Sequence, residues 1–362
     1  MKAARFHEPG VIRLDEVETP RLRDGEILVR VRAASICGTD LRISRHGHFK
    51  IAPGERRVLG HEVSGDVVEV RGSVEGYAVG DRVAVAPNVG CGRCELCRAG
   101  QNQMCPRYEA FGVSIDGGFQ EFMRVPAFAL RRGNVFRLPD GVGYADAALI
   151  EPFSCCYSGQ RRLGVGFEDV VLIVGAGPIG AFHTMLARLA GARKIIVAGR
   201  SRPRLDAVRR LGADVVVDVR EQRLADVVMA ETDGRGADVA VTAVSSAQVQ
   251  AETVELLATH GRINFFSGLG GLEPPRIDTD RLHYKGLLLT GTTGSSNFDY
   301  DRSLQLVRDR NLALSSLVSD TFPLERIQDA LAHAALGSGM KTMVVLDDAG
   351  HRDGRTPTGV KR

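Results

Sequence analysis

A chain of 362 residues, 44% of them hydrophobic, is long enough for about two domains and a sizeable apolar core. Its 47 basic and 44 acidic residues leave a net charge of +3, too small to favour nucleic acid or a membrane surface as a partner. The opening MKAARFHEPGVIRLDEV lacks the apolar core of a signal peptide, and no run approaches the ~20 apolar residues of a membrane span. We therefore expect a cytoplasmic protein.

Three regions differ in their hydrophobic pattern. Residues 1 to about 150 contain short valine-rich runs broken by glycine, such as EILVRVRAAS and DRVAVAP, which predict a mostly β region. From about 158 to 292, apolar strands alternate with amphipathic helices, and this pattern predicts a parallel sheet covered by helices on both faces. After 293 come two helical patterns and a last strand, KTMVVLDD. The polar residues 349–362 predict a disordered tail.

A glycine-rich loop opens the alternating region. In VLIVGAGPIGAF, three glycines fit the pattern GxGxxG between an apolar strand and a helix. Such glycines permit a tight turn and let the backbone approach a pyrophosphate, which binds the free N–H groups of the helix N-terminus. The surrounding αβ units favour a dinucleotide site over a simple glycine-rich turn. The cofactor-binding residues predicted here are Gly175, Gly177, Pro178, Ile179 and Gly180.

A basic cluster follows the second strand of this region, in IIVAGRSRPRL. An NAD-binding enzyme places Asp or Glu at the end of that strand, where the carboxylate binds the adenosine ribose and repels a 2′-phosphate. This chain has Gly199 there, followed by Arg200, Ser201, Arg202 and Arg204. Guanidinium groups bind phosphate with charge-assisted bonds, and cations alone at a helix N-terminus oppose its dipole. The cluster predicts a preference for NADP(H) over NAD(H); the alternative is a solvated helix start.

Four cysteines lie close together in CGRCELCRAGQNQMC, at positions 91, 94, 97 and 105. Four thiolates can close a tetrahedral shell around Zn²⁺ with no open position, which is the arrangement of a structural site. An iron–sulfur cluster also uses four cysteines, but the pattern lacks the Cx3CP that completes the bacterial ferredoxin run. We predict structural zinc at Cys91, Cys94, Cys97 and Cys105.

A second set of possible metal ligands is scattered along the chain: Cys37 in SICGTDL, His61 and Glu62 in LGHEVSGD, and Glu151 in LIEPF. One thiolate, one imidazole and one carboxylate leave a fourth zinc position open to water or substrate, as a catalytic site needs. Each residue also has a simpler explanation, such as a core cysteine, a hydrogen-bonded histidine or a solvated carboxylate. Spacing alone does not decide between them.

Several motifs together carry a family resemblance: SICGTDL, GHEVSGDVVEV, GDRVAV, CxxCxxCx7C, the IEP triplet, VGAGPIG and HYKGLLLTGTTGSS. In this combination the chain resembles the zinc-dependent medium-chain dehydrogenases, in particular their sorbitol (polyol) and threonine dehydrogenase branch. The resemblance implies an α/β protein. A GroES-like β-barrel catalytic domain is expected from residues 1–153 and 293–348, with a Rossmann doubly wound parallel-sheet domain at 154–292 between them and the tail at 349–362.

The same resemblance implies roles for the scattered residues. It assigns a catalytic zinc to Cys37, His61, Glu62 and Glu151, with one of the two glutamates ligating at a time. It implies that Thr39 takes the proton from the bound alcohol and that Asp40 orients the metal site. Where the family often has a histidine five residues after the first cysteine, this chain has Arg42. The last step of the proton relay is therefore open among Glu62, Glu151, His46 and an ordered water.

Function and assembly follow from the resemblance. We expect hydride transfer between a nicotinamide cofactor and a secondary alcohol of a polyol, sugar or cyclitol, with two zinc ions per chain. Polar, cationic segments such as RHGHFKIAPGERR hint at a polyhydroxylated or anionic substrate. The alternatives are a threonine or amino-alcohol dehydrogenase, a zinc-free quinone reductase and a non-catalytic dinucleotide sensor. The apolar segment KGLLLTGTTG predicts a homodimer or homotetramer, because the family pairs this edge between subunits.

Overall fold

The structure, a computed structural model, describes residues 1–346. The predicted tail at 349–362 lies outside the described residues. Ten strands and five helices occupy the first 163 residues. The strands are β1 (Lys2–Glu8), β2 (Val11–Glu16), β3 (Glu26–Ser35), β4 (Arg57–Val58), β5 (Glu62–Arg71), β6 (Arg82–Val85), β7 (Asn88–Val89), β8 (Glu109–Ala110), β9 (Phe122–Val125) and β10 (Val135–Arg137). The helices are α1 (Gly38–His46), α2 (Glu95–Arg98), α3 (Ala127–Arg131), α4 (Tyr144–Ala148) and α5 (Ile150–Leu163).

A parallel six-stranded sheet follows, in the order β13-β12-β11-β14-β15-β16. Its strands are β11 (Val170–Val174), β12 (Lys194–Gly199), β13 (Val215–Asp218), β14 (Ala237–Thr242), β15 (Leu257–Phe265) and β16 (Leu288–Gly291). The helices between them are α6 (Pro178–Leu189), α7 (Arg202–Arg210), α8 (Leu224–Glu231), α9 (Ala247–Glu255) and α10 (Thr279–Lys285). This is the strand order of a doubly wound dinucleotide-binding fold, in which ligands bind beyond the carboxyl ends of the strands.

The chain then returns to the β-rich part. The return consists of α11 (Asn297–Asp309), β17 (Val318–Pro323), α12 (Ile327–Leu336) and β18 (Lys341–Val345). Strand β18 pairs antiparallel with β3 and parallel with β17, which places it inside the sheet β10-β6-β5-β3-β18-β17. Strands from the first and the last parts of the described chain, β3 and β18, therefore belong to one sheet. The prediction of a GroES-like domain combined with a Rossmann domain is confirmed.

Three groups of buried side chains hold these layers together. Strands β3, β5 and β6 fill the interior of the β-rich part with valines and isoleucines. The parallel sheet is buried on both faces, and its strands are therefore nearly continuous apolar runs such as VVLIV in β11. On one of these faces α5, α6 and α11 pack together, so the helix α5 that carries Glu151 also contacts the parallel sheet. None of the helices within residues 1–346 has the length and apolar character needed to cross a membrane.

Candidate active site

Cys37, His61 and Glu62 meet where strand β3 ends and strand β5 begins. Ser35 and Glu62 are paired in the β3–β5 register, so the residues just beyond them come together although they are distant in sequence. The three candidate ligand atoms all lie within 4.8 Å of one another. A thiolate, an imidazole and a carboxylate are ligands that a catalytic zinc ion accepts, with a fourth position left for water or substrate.

One atom of this group supports a metal site. The Oε1 atom of Glu62 is buried and has no hydrogen-bond partner within residues 1–346. Buried polar atoms are almost always hydrogen-bonded, so an unpartnered carboxylate oxygen beside a thiol and an imidazole needs an explanation. A bound cation provides it. The residues present therefore fit a zinc ion.

Asp40 connects the backbone on both sides of the group. It is fully buried, and its Oδ2 accepts a hydrogen bond from the Cys37 N–H at 2.9 Å, which caps α1. Its Oδ1 accepts the N–H of Gly60 at 3.0 Å and lies 3.4 Å from Nδ1 of His61. Burial opposes a charge on His61, but the nearby Asp40 carboxylate and Cys37 sulfur raise its pKa well above the ordinary value. Such a carboxylate behind a metal site orients the ligands.

Lys341, at the start of β18, forms a buried ion pair with Glu62. Its Nζ atom donates to Oε2 of Glu62 at 2.6 Å and to the carbonyl oxygen of Ile36 at 3.0 Å. The side chains of Lys341 and Glu62 are 6% and 0% exposed, so water cannot take the place of either partner. The ion pair occupies one oxygen of Glu62 and leaves the other to the metal group.

Glu151 lies beside the group but outside its 4.8 Å cluster. Burial at the first turn of α5 raises the pKa of Glu151 to about 7, with a further contribution from the Glu62 charge, while His61 and Lys341 oppose the shift. The Sγ atom of Cys155, one turn further along α5, lies 3.6 Å from Oε1 of Glu151. The hydroxyl of the fully buried Tyr300 has no partner within the described residues, and its pKa is raised by burial and then by the Glu151 and Glu62 charges.

Residues of α1 surround the predicted proton relay. The guanidinium of Arg42 donates to Oγ1 of Thr39 at 3.3 Å. An arginine cannot accept a proton at physiological pH, so it does not replace the histidine of the family pattern. His46 is exposed at the other end of α1, where it lines a cleft with Phe6 and Phe49. Of His46 and Glu151, two candidates for the last step of the proton relay, only Glu151 lies beside the metal group.

The four clustered cysteines form a second compact group. Their sulfur atoms all lie within 4.8 Å of one another, and none is in a disulfide. The backbone N–H groups of Arg93 and Cys94 lower the pKa of Cys91 to about 5, whereas burial raises the pKa of Cys97 to about 12. Four thiol sulfurs at this spacing fit a closed tetrahedral zinc site.

The glycine loop joins β11 to α6. Gly175 has φ +117°, a backbone conformation that side chains disfavour, and a Cβ at Gly180 would lie 1.8 Å from the Gly175 carbonyl oxygen. Gly177 caps α6, with Pro178 at its first position. The loop is therefore as tight as a pyrophosphate-binding turn requires, and the first N–H groups of α6 face its open side.

The basic cluster follows β12. Arg200 is exposed, and the Arg202 side chain is 63% exposed with Nε 3.3 Å from Asp206. Arg204 instead turns towards the return segment, where its Nε and Nη2 donate to the Gly339 carbonyl oxygen at 3.0 and 2.6 Å. A Cβ at Gly199 would lie 2.8 Å from the Ala176 Cβ, so close packing against the glycine loop also requires a glycine here.

Comparisons with known proteins bear on the identity of this site. Two protein-family models match, an alcohol dehydrogenase GroES-like domain over residues 23–140 and a zinc-binding dehydrogenase domain over residues 178–309. The sorbitol dehydrogenase of Bacillus subtilis is 31% identical over 92% of this chain and 93% of its own length. The L-threonine 3-dehydrogenase of Aeromonas salmonicida is 32% identical over 92% of this chain and 95% of its own. The chain belongs to the zinc-dependent medium-chain dehydrogenase family.

Solved structures agree on the fold of this medium-chain dehydrogenase. A zinc-binding dehydrogenase of Sinorhizobium meliloti bound to NADP superposes with a TM-score of 0.88 at 29% identity, covering 95% of this chain and 99% of that one. An Escherichia coli alcohol dehydrogenase in complex with NADH gives 0.87 at 29% identity, covering 96% and 99%. The predicted family, branch and enzyme class are confirmed: the protein is a zinc-dependent, NAD(P)-dependent alcohol dehydrogenase with a small-molecule substrate.

Sequence reasoning missed several residues around the two sites of this dehydrogenase. For Lys341 the sequence contains one weak indication of a buried role, a lysine directly before the apolar run TMVV. For Tyr300 the sequence contains no such indication. Cys155 follows Glu151 at helical spacing, which could have placed the two on one face of α5. Lys50 and Arg57, two of the cations taken as a hint of an anionic substrate, bond within the protein. Lys50 donates to the Tyr108 carbonyl, and Arg57 contacts Glu55 and Asp116.

Proposed function

We propose that this dehydrogenase oxidises a secondary alcohol of a polyol, sugar or cyclitol and transfers the hydride to NADP⁺. The observation that carries the proposal is the compact group of Cys37, His61 and Glu62, with Glu151 beside it. Ordinary alcohol dehydrogenases of the family have a cysteine where this chain has Glu151. The glutamate is typical of the polyol and threonine branch to which the relatives belong.

In this proposal each residue has one task. Cys37, His61 and Glu62 would hold the zinc ion, which when bound would supply Lewis acidity to the substrate hydroxyl, and a bound nicotinamide would be the hydride acceptor. Asp40 orients His61 through its 3.4 Å contact and holds the Cys37 backbone. Lys341 keeps one oxygen of Glu62 occupied, so that this side chain presents a single oxygen.

The proton leaves the substrate through Thr39. Because Arg42 donates to Oγ1 of Thr39, the hydroxyl proton of Thr39 points away from Arg42, and the positive charge favours loss of that proton. Glu151 is the acceptor we favour, since its carboxyl group is buried beside the metal group. His46 lies at another cleft and takes no part in this proposal.

The preference for NADP(H) rests on charge. The exposed guanidinium groups of Arg200 and Arg202 follow the strand end where an NAD enzyme places a carboxylate, and Gly199 has no side chain to repel a phosphate. Arg204 contributes from the side of the glycine loop, because its Nη1 lies 3.7 Å from where a Cβ of Gly177 would be. The two solved relatives hold different cofactors, so they favour neither choice.

Steady-state kinetics test the proposal. We expect kcat/KM with NADP⁺ to exceed that with NAD⁺ at least about tenfold, since the cluster gives charge-assisted bonds to only one of them. The substrate panel compares polyols, cyclitols and sugars with L-threonine, the alternative favoured by the Aeromonas relative. Turnover of L-threonine alone would contradict the polyol assignment, and equal cofactor efficiencies would contradict the NADP(H) preference.

A further inference from the structure

The edge of the parallel sheet where the adenosine ribose is expected to bind has a carboxylate, and it comes from β13 rather than from β12. In the register between β12 and β13, Gly199 pairs with Asp218, and the Val219 N–H donates to the Gly199 carbonyl oxygen at 3.0 Å. Paired residues of neighbouring strands project from the same face of a sheet. The Asp218 side chain, only 5% exposed, therefore lies on the face from which the side chain is missing at Gly199.

Arg220 binds this carboxylate on both oxygens. Its Nε donates to Oδ1 at 2.9 Å and its Nη2 to Oδ2 at 2.5 Å, while its backbone N–H donates to Oδ1 at 3.1 Å. These hydrogen bonds lower the pKa of Asp218 to about 2, with a smaller contribution from the Arg202 charge. Asp218 is therefore ionised at every pH at which the enzyme works, and Arg220 neutralises it.

A free carboxylate at this edge has a known effect on cofactor choice. It accepts hydrogen bonds from the ribose hydroxyls of NAD and repels the 2′-phosphate of NADP. In this chain the carboxylate comes from the neighbouring strand, and a bidentate arginine occupies both of its oxygens. The net charge of the pair is zero, which leaves the positive charges of Arg200 and Arg202 uncompensated by Asp218.

We propose that Arg220 is a positioning residue for cofactor selectivity, which acts by neutralising Asp218 at the edge where the adenosine ribose binds. The proposal rests on the cofactor site described under the proposed function. Cofactor selectivity then depends on two strands. In β12, Gly199 has no side chain, and in β13, Arg220 binds the Asp218 carboxylate. With Arg220 removed, Asp218 becomes a ribose ligand that disfavours phosphate.

The test replaces Arg220, whose side chain is 57% exposed. In Arg220→Gln the ratio of kcat/KM for NADP⁺ to that for NAD⁺ falls about tenfold, because an uncompensated charge now faces the phosphate. Calorimetry with 2′,5′-ADP and with ADP gives a readout without turnover: affinity for 2′,5′-ADP falls about tenfold and affinity for ADP does not fall. Arg223→Gln is the matched control, since Arg223 is 82% exposed, nearby and equally charged. It changes neither the kcat/KM ratio nor the two affinities.

A double variant separates neutralisation from direct contact. We expect the double variant, Asp218→Asn with Arg220→Gln, to have a ratio of kcat/KM for NADP⁺ to that for NAD⁺ within about threefold of wild type, because no carboxylate remains to be neutralised. A tenfold loss that persists in the double variant would overturn the proposed role, and so would an unchanged ratio in Arg220→Gln. If wild type favours NAD⁺ but Arg220→Gln still lowers the ratio, the NADP(H) preference fails and the role of Arg220 stands. Thermal unfolding of each variant verifies that it is folded.

Discussion

Single residues at the metal group depend on buried partners that come from distant parts of the chain. Glu62 is buried together with its ion-pair partner Lys341, and Asp40 satisfies backbone N–H groups next to two of the ligands. A buried charge whose partner is removed costs several kcal/mol, about 3–5 in measured cases. The substitutions that damage this site are therefore not limited to the ligands.

His183, inside α6, gives a prediction about acid stability. Burial lowers the pKa of His183 to about 3, and its Nε2 has no partner within residues 1–346. Below pH ~6.5 the unfolded chain binds a proton at this histidine that the folded protein excludes, so stability falls as the pH falls. Between pH 7 and 5 this one group lowers the free energy of unfolding by about 2 kcal/mol.

We expect His183→Leu to lose about 2 kcal/mol less stability between pH 7 and 5 than wild type does. Urea unfolding at the two pH values measures the difference. His283→Gln, at an exposed histidine of α10, is the control and should retain the pH dependence of wild type. Identical pH dependence in His183→Leu and wild type would show that His183 is accessible to protons in the folded state.

At the scale of elements, the two metal groups differ in construction. Cys37, His61 and Glu62 are positioned by strands β3 and β5 and by α1, whereas the four cysteines lie on short segments around α2 with little apolar core of their own. The first group lies at the end of a sheet that has its own apolar core. The second has little besides its ligands to hold it together.

This difference predicts opposite outcomes for two cysteine substitutions. Cys37→Ser should remain folded, lose activity and hold one zinc ion per chain instead of two. Cys94→Ser should also lose one zinc, but its melting temperature should fall by about 5 °C or more, because closed zinc sites contribute folding free energy. Metal analysis and thermal unfolding provide the measurements. One zinc or none in fresh wild-type enzyme would refute the assignment of two sites.

The sequence predicts those elements and residues that depend on local spacing. The glycine loop, the clustered cysteines and the alternation of strands and helices each lie within a short stretch, so their patterns survive without knowledge of the fold. Lys341 and Asp218 act through strand register and through the return of the chain into the first sheet, which no local pattern records. The roles of Thr39, Asp40 and Glu151 came from the family resemblance rather than from spacing.

At the scale of the whole molecule, β16 is the edge of the parallel sheet, paired with β15 on one side. Its Leu288 is 49% exposed, and Tyr284 of the preceding helix is 81% exposed. An apolar edge strand left open is prone to pair with another strand. We therefore keep the prediction of a homodimer or homotetramer in which two copies of β16 meet.

Leu288→Lys tests that prediction, because a lysine on an edge strand opposes pairing. We expect multi-angle light scattering to give a dimer or tetramer mass for wild type and a smaller assembly for the variant. Leu336→Lys places the same change at an exposed leucine of α12, on the catalytic domain, and should leave the mass unchanged. A wild-type monomer at micromolar concentration would rule out the proposed assembly.

The ion pair between Glu62 and Lys341 also bears on how the enzyme is made. The two residues are 279 positions apart, and the entire parallel sheet is synthesised between them. While a ribosome is still translating that sheet, Glu62 has no lysine, β3 has no β18 beside it, and the catalytic half of the molecule is unfinished. The Glu62 ion pair, and with it the complete metal group, can form only after β18 has been synthesised and has joined β3.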